Sequence, residues 1–382
     1  MKITFVTDTY LPQANGVATT LSRLVEGLRE RGNEVDLIRP SFLACEEEGL
    51  RVPSIALPGY PEVRVGLPIG LLLQYRWMRN RPDAIYVATE TPLGASAVNA
   101  ARILGIPVAT GFHTNFQDYV AHYRMPLLER ATMGYLRRLH NRSDATFVPS
   151  YDMIQRLQGQ GFDKLRILPK GVDTKTYHPA FRDENLRKFW GATEDSLVAL
   201  YVGRIAAEKN LPLIVKSFQA LAERHPGFRG VFVGSGPKLK ELQAEHPEFI
   251  YPGVLFGEEL ARHYASADLF VFPSMTETFG NVTLEAMASG LAVVAYDYAA
   301  ARQHIIDGIN GYTAPFGNEK AYLDSVIRAA EATDLGEIRE YARASARKVR
   351  WRKVIKLFEK SLNEIINQKV GRPVPELATI AP

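Results

Sequence analysis

Apolar positions along the chain fall into short runs separated by polar loops and by longer stretches with helical spacing. Residues 3–6, 35–38, 84–88, 108–112, 145–148 and 165–168 are apolar runs rich in β formers, with the length of buried strands. Residues 17–31, 69–81, 92–104 and 150–158 carry helical periodicity between them. The alternation resumes at 197–202 and continues through 231–233, 269–272, 291–296 and 311–314. Strands alternating with helices predict an α/β fold built on parallel sheets. Residues 40–68 are rich in proline and read as irregular, whereas 342–368 is strongly helical. Gly171-Val-Asp173 lies in a segment, 169–179, that reads as a linker, and the tail from Gly371 carries three prolines and reads as loosely held. Apart from the coarse similarity of two α/β halves, no repeat is visible.

The most informative stretch runs from Ala267 to Asp297. A strand at Leu269–Phe272 is stopped by Pro273 and Ser274, and a polar loop leads to Gly280. Asn281 stands where a helix N-cap is expected, Gly290 closes the helix, and the next strand follows. Such a βαβ unit has parallel strands and a right-handed crossover. Ligands in open α/β sheets bind beyond the carboxyl ends of the strands, where Glu277 and Gly280 lie. Glu285 falls about one turn into the helix, so both carboxylates can face one crevice. Two such glutamates are equally compatible with a solvated loop residue and a first-turn glutamate favoured by the helix dipole.

Length and charge narrow the picture. A chain of 382 residues is expected to hold two domains, and a net charge of +4 does not argue for nucleic-acid binding. Cys45 is the only cysteine, so no intramolecular disulfide forms and a reducing compartment fits. Asp8 interrupts the first apolar run, which therefore reads as a strand and not a signal peptide. No apolar run reaches the length that spans a bilayer, and a cytoplasmic location is expected.

Other candidates sit at the ends of predicted strands. Gly16 closes the first loop, where backbone can approach a phosphate; a glycine that merely turns into the helix fits equally well. The absence of G-x-G-x-x-G argues against a dinucleotide dehydrogenase. His113 ends its strand in the run Gly-Phe-His113-Thr-Asn-Phe-Gln-Asp-Tyr119. Gly203-Arg204 and Lys209 place two cations between a strand and a helix, suited to gripping a diphosphate. Gly234-Ser-Gly236 is a turn. Residues 122–142 contain five arginines and one glutamate around an apolar stripe of Leu127, Leu128, Ala131, Tyr135 and Leu139. That segment reads as an amphipathic helix with a solvated face, or as a surface for anionic lipid.

The run Glu277-Thr-Phe279-Gly280-Asn281-Val282-Thr-Leu-Glu285 resembles the glutamate pair, seven residues apart, of the retaining nucleotide-sugar glycosyltransferases of family 4. Gly203-Arg204-x-x-x-Glu-Lys209, the Gly-Phe-His113-Thr-Asn-Phe run and Gly171-Val-Asp173 fit the same family, so the resemblance spans nearly the whole chain. Two departures are present: Asn15-Gly16 stands where many relatives have two glycines, and Asn210 replaces a more usual glycine. The resemblance implies the GT-B fold, with two facing Rossmann-like domains and an active site in the interdomain cleft. It implies domains at 1–172 and 173–350, with the helix at 351–370 crossing back onto the first. It assigns Arg204 and Lys209 to the leaving diphosphate, and Glu277 with Phe279, Gly280, Asn281, Val282 and Glu285 to the sugar and ribose. The backbone at Val254 would read the base, Gly203 and Gly16 would border the phosphates, and His113 would contact the transferred sugar. Tyr119 and Arg124 are acceptor-side candidates. The implied reaction is hexosyl transfer with retention to a glycolipid or glycan, with no metal or other cofactor and with contact at the inner membrane face. GDP-mannose is the preferred donor; a UDP-sugar used by a glucosyl- or sulfoquinovosyl-type lipid transferase, or a protein that binds without catalysis, are the alternatives.

Overall fold

The computed structural model describes residues 1–370 except 12, 14, 42–48, 58–59 and 114–125. The chain divides into two compact units, one of Met1–Pro169 with the residues from Arg352 onward, the other of Lys170–Trp351. In chain order the first unit contains β1 (Lys2–Val6), α1 (Gly16–Glu30), β2 (Glu34–Pro40), β3 (Leu50–Val52), β4 (Ser54–Leu57), β5 (Tyr60–Gly66) and α2 (Gly70–Arg79). It continues with β6 (Ala84–Val87), α3 (Pro92–Ile103), β7 (Val108–Gly111), α4 (Pro126–Asn141), β8 (Ala145–Val148), α5 (Tyr151–Gly159) and β9 (Leu165–Ile167). Its sheet has the order β3-β2-β1-β6-β7-β8-β9, parallel throughout.

The expected irregularity of 40–68 is corrected. β3 joins the edge of the main sheet, and β4 and β5 form an antiparallel pair. Proline spacing hid them, because an edge strand and a two-stranded ribbon tolerate residues that a central strand does not. The helical stretch expected at 342–368 is also corrected: it is divided between a helix at Leu335–Ala346 and the last helix at Trp351–Val370, while the other predicted strands have ends shifted by a residue or two. The centre of the unit is aromatic: Tyr86 on β6 meets Phe5, Phe147 and Phe358 edge-on at ring-centroid distances of 5.2, 6.0 and 5.0 Å. Phe358 belongs to the last helix, Trp351–Val370. That helix is tied to the sheet's own loops by Glu359 to Arg31 and Asn33, and by Lys369 to Asp144 at 2.6 Å.

The second unit contains α6 (Glu184–Phe189), β10 (Val198–Val202), α7 (Leu211–Arg224), β11 (Arg229–Val233), α8 (Leu239–Glu245), β12 (Ile250–Gly253), α9 (Gly257–Ser266) and β13 (Leu269–Phe272). After it come α10 (Asn281–Ala288), β14 (Ala292–Tyr296), α11 (Ala299–His304), β15 (Tyr312–Ala314), α12 (Glu319–Ala330) and α13 (Leu335–Ala346). Its parallel sheet runs β12-β11-β10-β13-β14-β15. The strands are buried on both faces, which is why they read as continuous apolar runs and not as alternation.

Just before β13, Asp268 is buried and surrounded by cations. Arg182 and Arg339 lie 3.2 Å from its Oδ1, Arg187 lies 3.1 Å from Oδ2, and the Val198 amide donates to Oδ2 at 3.0 Å. One carboxylate thus joins α6, β10 and α13 to the strand that carries the site loop. Asp268→Asn keeps the shape but removes the carboxylate that Arg182, Arg187 and Arg339 share, leaving Glu184 as the acidic partner of Arg182 and of the buried Arg187. We expect a loss of about 3–5 kcal/mol, read as a lowered unfolding midpoint in chemical denaturation; an unchanged midpoint would count against this role.

Candidate functional site

In the second unit the strand order reverses at β10. The chain continues from β10 to β11 on one side, and β13 lies on the other. Loops leaving β10 and β13 therefore diverge at their carboxyl ends and open a crevice at this switch point. Both predicted chemical loops start here.

The β10 loop passes Gly203 and Arg204 and forms a short 3-10 turn at Ala207–Lys209. Asn210 follows at φ +56° and starts α7. That left-handed conformation accounts for a glycine or asparagine at this position, since asparagine tolerates it better than other side chains. The β13 loop carries Glu277. Lys209 Nζ forms an ion pair with Glu277 Oε1, and Ser274 Oγ donates to the same oxygen at 2.7 Å. Around this pair the loops are stitched together. Arg204 lies 3.4 Å from the Glu208 carboxylate, Tyr201 donates to the Arg204 carbonyl at 2.8 Å, and Tyr298 donates to the Glu277 carbonyl at 2.6 Å. Arg204, Lys209 and Glu277, singled out in the sequence, are thus brought into one cluster, each close to an opposite charge.

One local expectation is corrected. Asn281 is not the N-cap: the cap is Gly280 at φ +86°, and its helix start has no side-chain cap. The positive φ excludes most residues, and the cap leaves the first amides of α10 for an outside acceptor. Glu285 accepts from Tyr264 Oη at 3.0 Å and is hydrogen-bonded by Tyr177, whose rings meet edge-on. Burial raises its pKa to about 7, although the two phenols oppose the shift. Phe279 is buried beneath the loop, Val282 is partly buried, and Val254 just after β12 is exposed. Ser274, Tyr177, Tyr264 and Tyr298 were not identified from the sequence. No local spacing reveals them, because Tyr177, Tyr264 and Tyr298 reach the site from other segments of the chain and Ser274 by a turn whose shape the sequence does not give.

In the first unit the order reverses between β1 and β6. Asp8 leaves β1 here and accepts from Thr89 Oγ1 at 2.6 Å, from Thr91 Oγ1 and from the Gly66 amide. Burial raises its pKa. Gly16 is the first residue of α1, and the cap is Asn15, whose side chain accepts from the amides of Val17 and Ala18. The departure from a double glycine therefore supplies a helix cap. His113 follows β7, is buried, and has Nε2 2.6 Å from Tyr86 Oη. Tyr119 and Arg124 lie outside the described residues. In α4, Leu136 and Leu139 are buried, whereas Ala131 and Tyr135, assigned to the apolar face, are exposed; Arg130, Arg137 and Arg138 line the solvated side. Among the described residues, no group of three or more His, Cys, Asp or Glu is placed to hold a metal ion, and no helix is long and apolar enough to cross a membrane.

Residues 14–176 match the family description "Glycosyltransferase Family 4", and residues 182–349 match "Glycosyl transferases group 1". The chain is 32% identical to a GDP-mannose-dependent alpha-mannosyltransferase of Mycobacterium tuberculosis over 91% of its own length and 92% of that protein's. It is 30% identical to the sulfoquinovosyl transferase SQD2 of Arabidopsis thaliana, over 91% of this chain and 70% of that one. Among solved structures, Anabaena HepE in complex with UDP superposes with a TM-score of 0.75 at 18% identity, covering 95% of this chain and all of that one. The two Rossmann-like halves have the GT-B fold, and the family matches and named relatives show a hexosyltransferase. The chain belongs to the family 4 glycosyltransferases and is similar to their bacterial GDP-mannose-dependent α-mannosyltransferases.

Glu285 gives a prediction that is independent of turnover. Its ordinary pKa is 4.5 and its folded value about 7. Between these values the folded chain holds a proton that the unfolded chain has released. Stability from this group is therefore full below pH 4.5 and is lost as pH rises to 7. Glu285→Gln keeps an acceptor for Tyr264 and removes that loss. The difference in melting temperature, variant minus wild type, should rise between pH 5 and pH 8. Discounted for partial exposure, the rise is about 1 kcal/mol, or about 2–4 °C. A difference that does not change with pH would contradict the raised pKa.

Proposed function

We propose that the chain transfers mannose from GDP-mannose, with retention of configuration, to a glycolipid or other glycan acceptor. The observation that carries this reading is the Lys209–Glu277 pair at the switch point, with Arg204 and Glu208 beside it. A departing diphosphate develops negative charge as the bond to the sugar's anomeric carbon breaks, and fixed cations placed there stabilise it. Arg204 and Lys209 take that role. As Lys209 turns to phosphate, Glu277 keeps its bond from Ser274 and accepts from the sugar hydroxyls. The uncapped start of α10 at Gly280–Val282 offers amides to oxygen-rich groups. Glu285 accepts from the ribose diol, the backbone at Val254 borders the base, and the Gly16 loop and His113 supply the phosphate and sugar contacts of the first unit. The acceptor hydroxyl attacks the face that the diphosphate leaves, and its proton passes to the departing phosphate. No metal is required in this scheme, because the two cations carry the charge.

The donor choice rests on similarity to the mycobacterial mannosyltransferase. A UDP-sugar is the second reading, favoured by the similarity to SQD2 and by the UDP complex of HepE. A panel of GDP- and UDP-sugars, without acceptor, should show slow nucleotide release from GDP-mannose alone. Glu277→Ala and Lys209→Ala should each reduce it by about 100-fold or more. Turnover of a UDP-sugar instead would move the enzyme to the second reading.

We further propose a cytoplasmic enzyme that touches an anionic membrane through α2. Leu73 and Trp77 are buried on one side of this helix, while Leu71, Leu72, Tyr75 and Met78 are exposed on the other, Leu71 at 83% and Met78 at 65%. This spacing is one helical face, and Arg79 lies over the Tyr75 ring at its border. The described part of α4, by contrast, presents arginines with little apolar surface. Vesicles rich in anionic lipid should co-sediment the protein at low salt. A double change, Leu71→Glu with Met78→Glu, should reduce the bound fraction about 10-fold; undiminished binding would remove α2 from this role.

A further inference from the structure

His113 has a second-strand partner that the sequence does not announce. Tyr86 lies at the third position of β6, its ring fixed by Phe5, Phe147 and Phe358, and its Oη reaches His113 Nε2 at 2.6 Å. The imidazole stands at 84° to the phenol ring. The bond passes over Gly111 on β7. A Cβ built on that glycine would fall on both Tyr86 Oη and His113 Nε2. Three positions on two adjacent strands therefore form one device: an anchored phenol, a missing side chain, and the histidine at the strand end.

We propose that Tyr86 is a positioning residue that fixes the tautomer and orientation of His113, and that Gly111 is the gap that admits their hydrogen bond. This rests on the reading of His113 as the sugar contact. The phenol is enclosed by apolar rings, and burial, with Glu90 nearby, raises its pKa, so it holds its proton. A phenol that keeps its proton donates to a ring nitrogen at this short distance, which makes Nε2 the acceptor and leaves the imidazole proton on Nδ1. The ring is then held at both its angle and its protonation pattern.

The test uses the full chain with 15N-labelled histidine rings, His113 being assigned by comparison with His113→Gln. Wild type should show His113 as the Nδ1–H tautomer. Tyr86→Phe, which keeps the anchored ring, should shift it toward the Nε2–H form or a mixture. Gly111→Ala, which keeps both residues but puts a methyl group where their bond passes, should do the same. Ring signals of His113 unchanged in Tyr86→Phe would overturn the proposal, whatever the activity. Turnover of the donor gives the second arm. Tyr86→Phe should lower kcat about 10- to 100-fold with KM changed less than about 2-fold, and should add nothing in a His113→Gln background. If His113→Gln itself retains full kcat, the sugar-contact reading fails, and the ring signals alone decide whether Tyr86 positions the histidine. If His113→Gln is slow but Tyr86→Phe keeps full kcat, the positioning role is overturned while the reading of His113 stands.

Discussion

A parallel sheet whose strand order reverses must leave a crevice where the reversal occurs. After β10 the chain crosses to β11 on one side, and when it returns it places β13 on the other. The two loops at those carboxyl ends cannot follow each other, so they separate, and helix starts face the gap. This constraint brings Lys209 and Glu277, 68 residues apart, into one ion pair. It also exposes the uncapped beginning of α10 to the same space. The first unit obeys the same rule between β1 and β6, where Asp8 is held by Thr89 and Thr91.

The two units solve the electrostatic problem of a buried site differently. In the second, charge is answered by charge: Lys209 by Glu277, Arg204 by Glu208, and behind them Arg182, Arg187 and Arg339 by Asp268. A cluster of this kind sets cations where charge on a leaving group would develop. Glu285 stands apart, held by two phenols, and burial raises its pKa to about 7. In the first unit the polar groups are mostly uncharged hydroxyls and rings, and orientation is set by packing. Tyr86 cannot move without displacing three aromatic neighbours.

Most of the secondary structure was legible in the sequence, because strands buried on both faces read as unbroken apolar runs and the helices between them keep a clear period. The gap was 40–68, where β3 to β5 have no continuous apolar signal, being an edge strand and a ribbon. The helix cap was misplaced by one residue at Asn281: local preference favours asparagine as a cap, but the backbone turns at Gly280 with a positive φ that only the closed loop dictates.

The sequence alone determined the class of protein. Spacing within single loops, such as Glu277 to Glu285 and Arg204 to Lys209, survives folding unchanged, since it depends only on neighbours along the chain. Tertiary structure decided who holds whom. The pairing of Lys209 with Glu277, the phenols on Glu285, the arginines on Asp268 and the hydroxyl on His113 all join residues from separate elements. Their distances are fixed by strand order and by the packing between strands, and neither quantity is written in the spacing of residues along one segment.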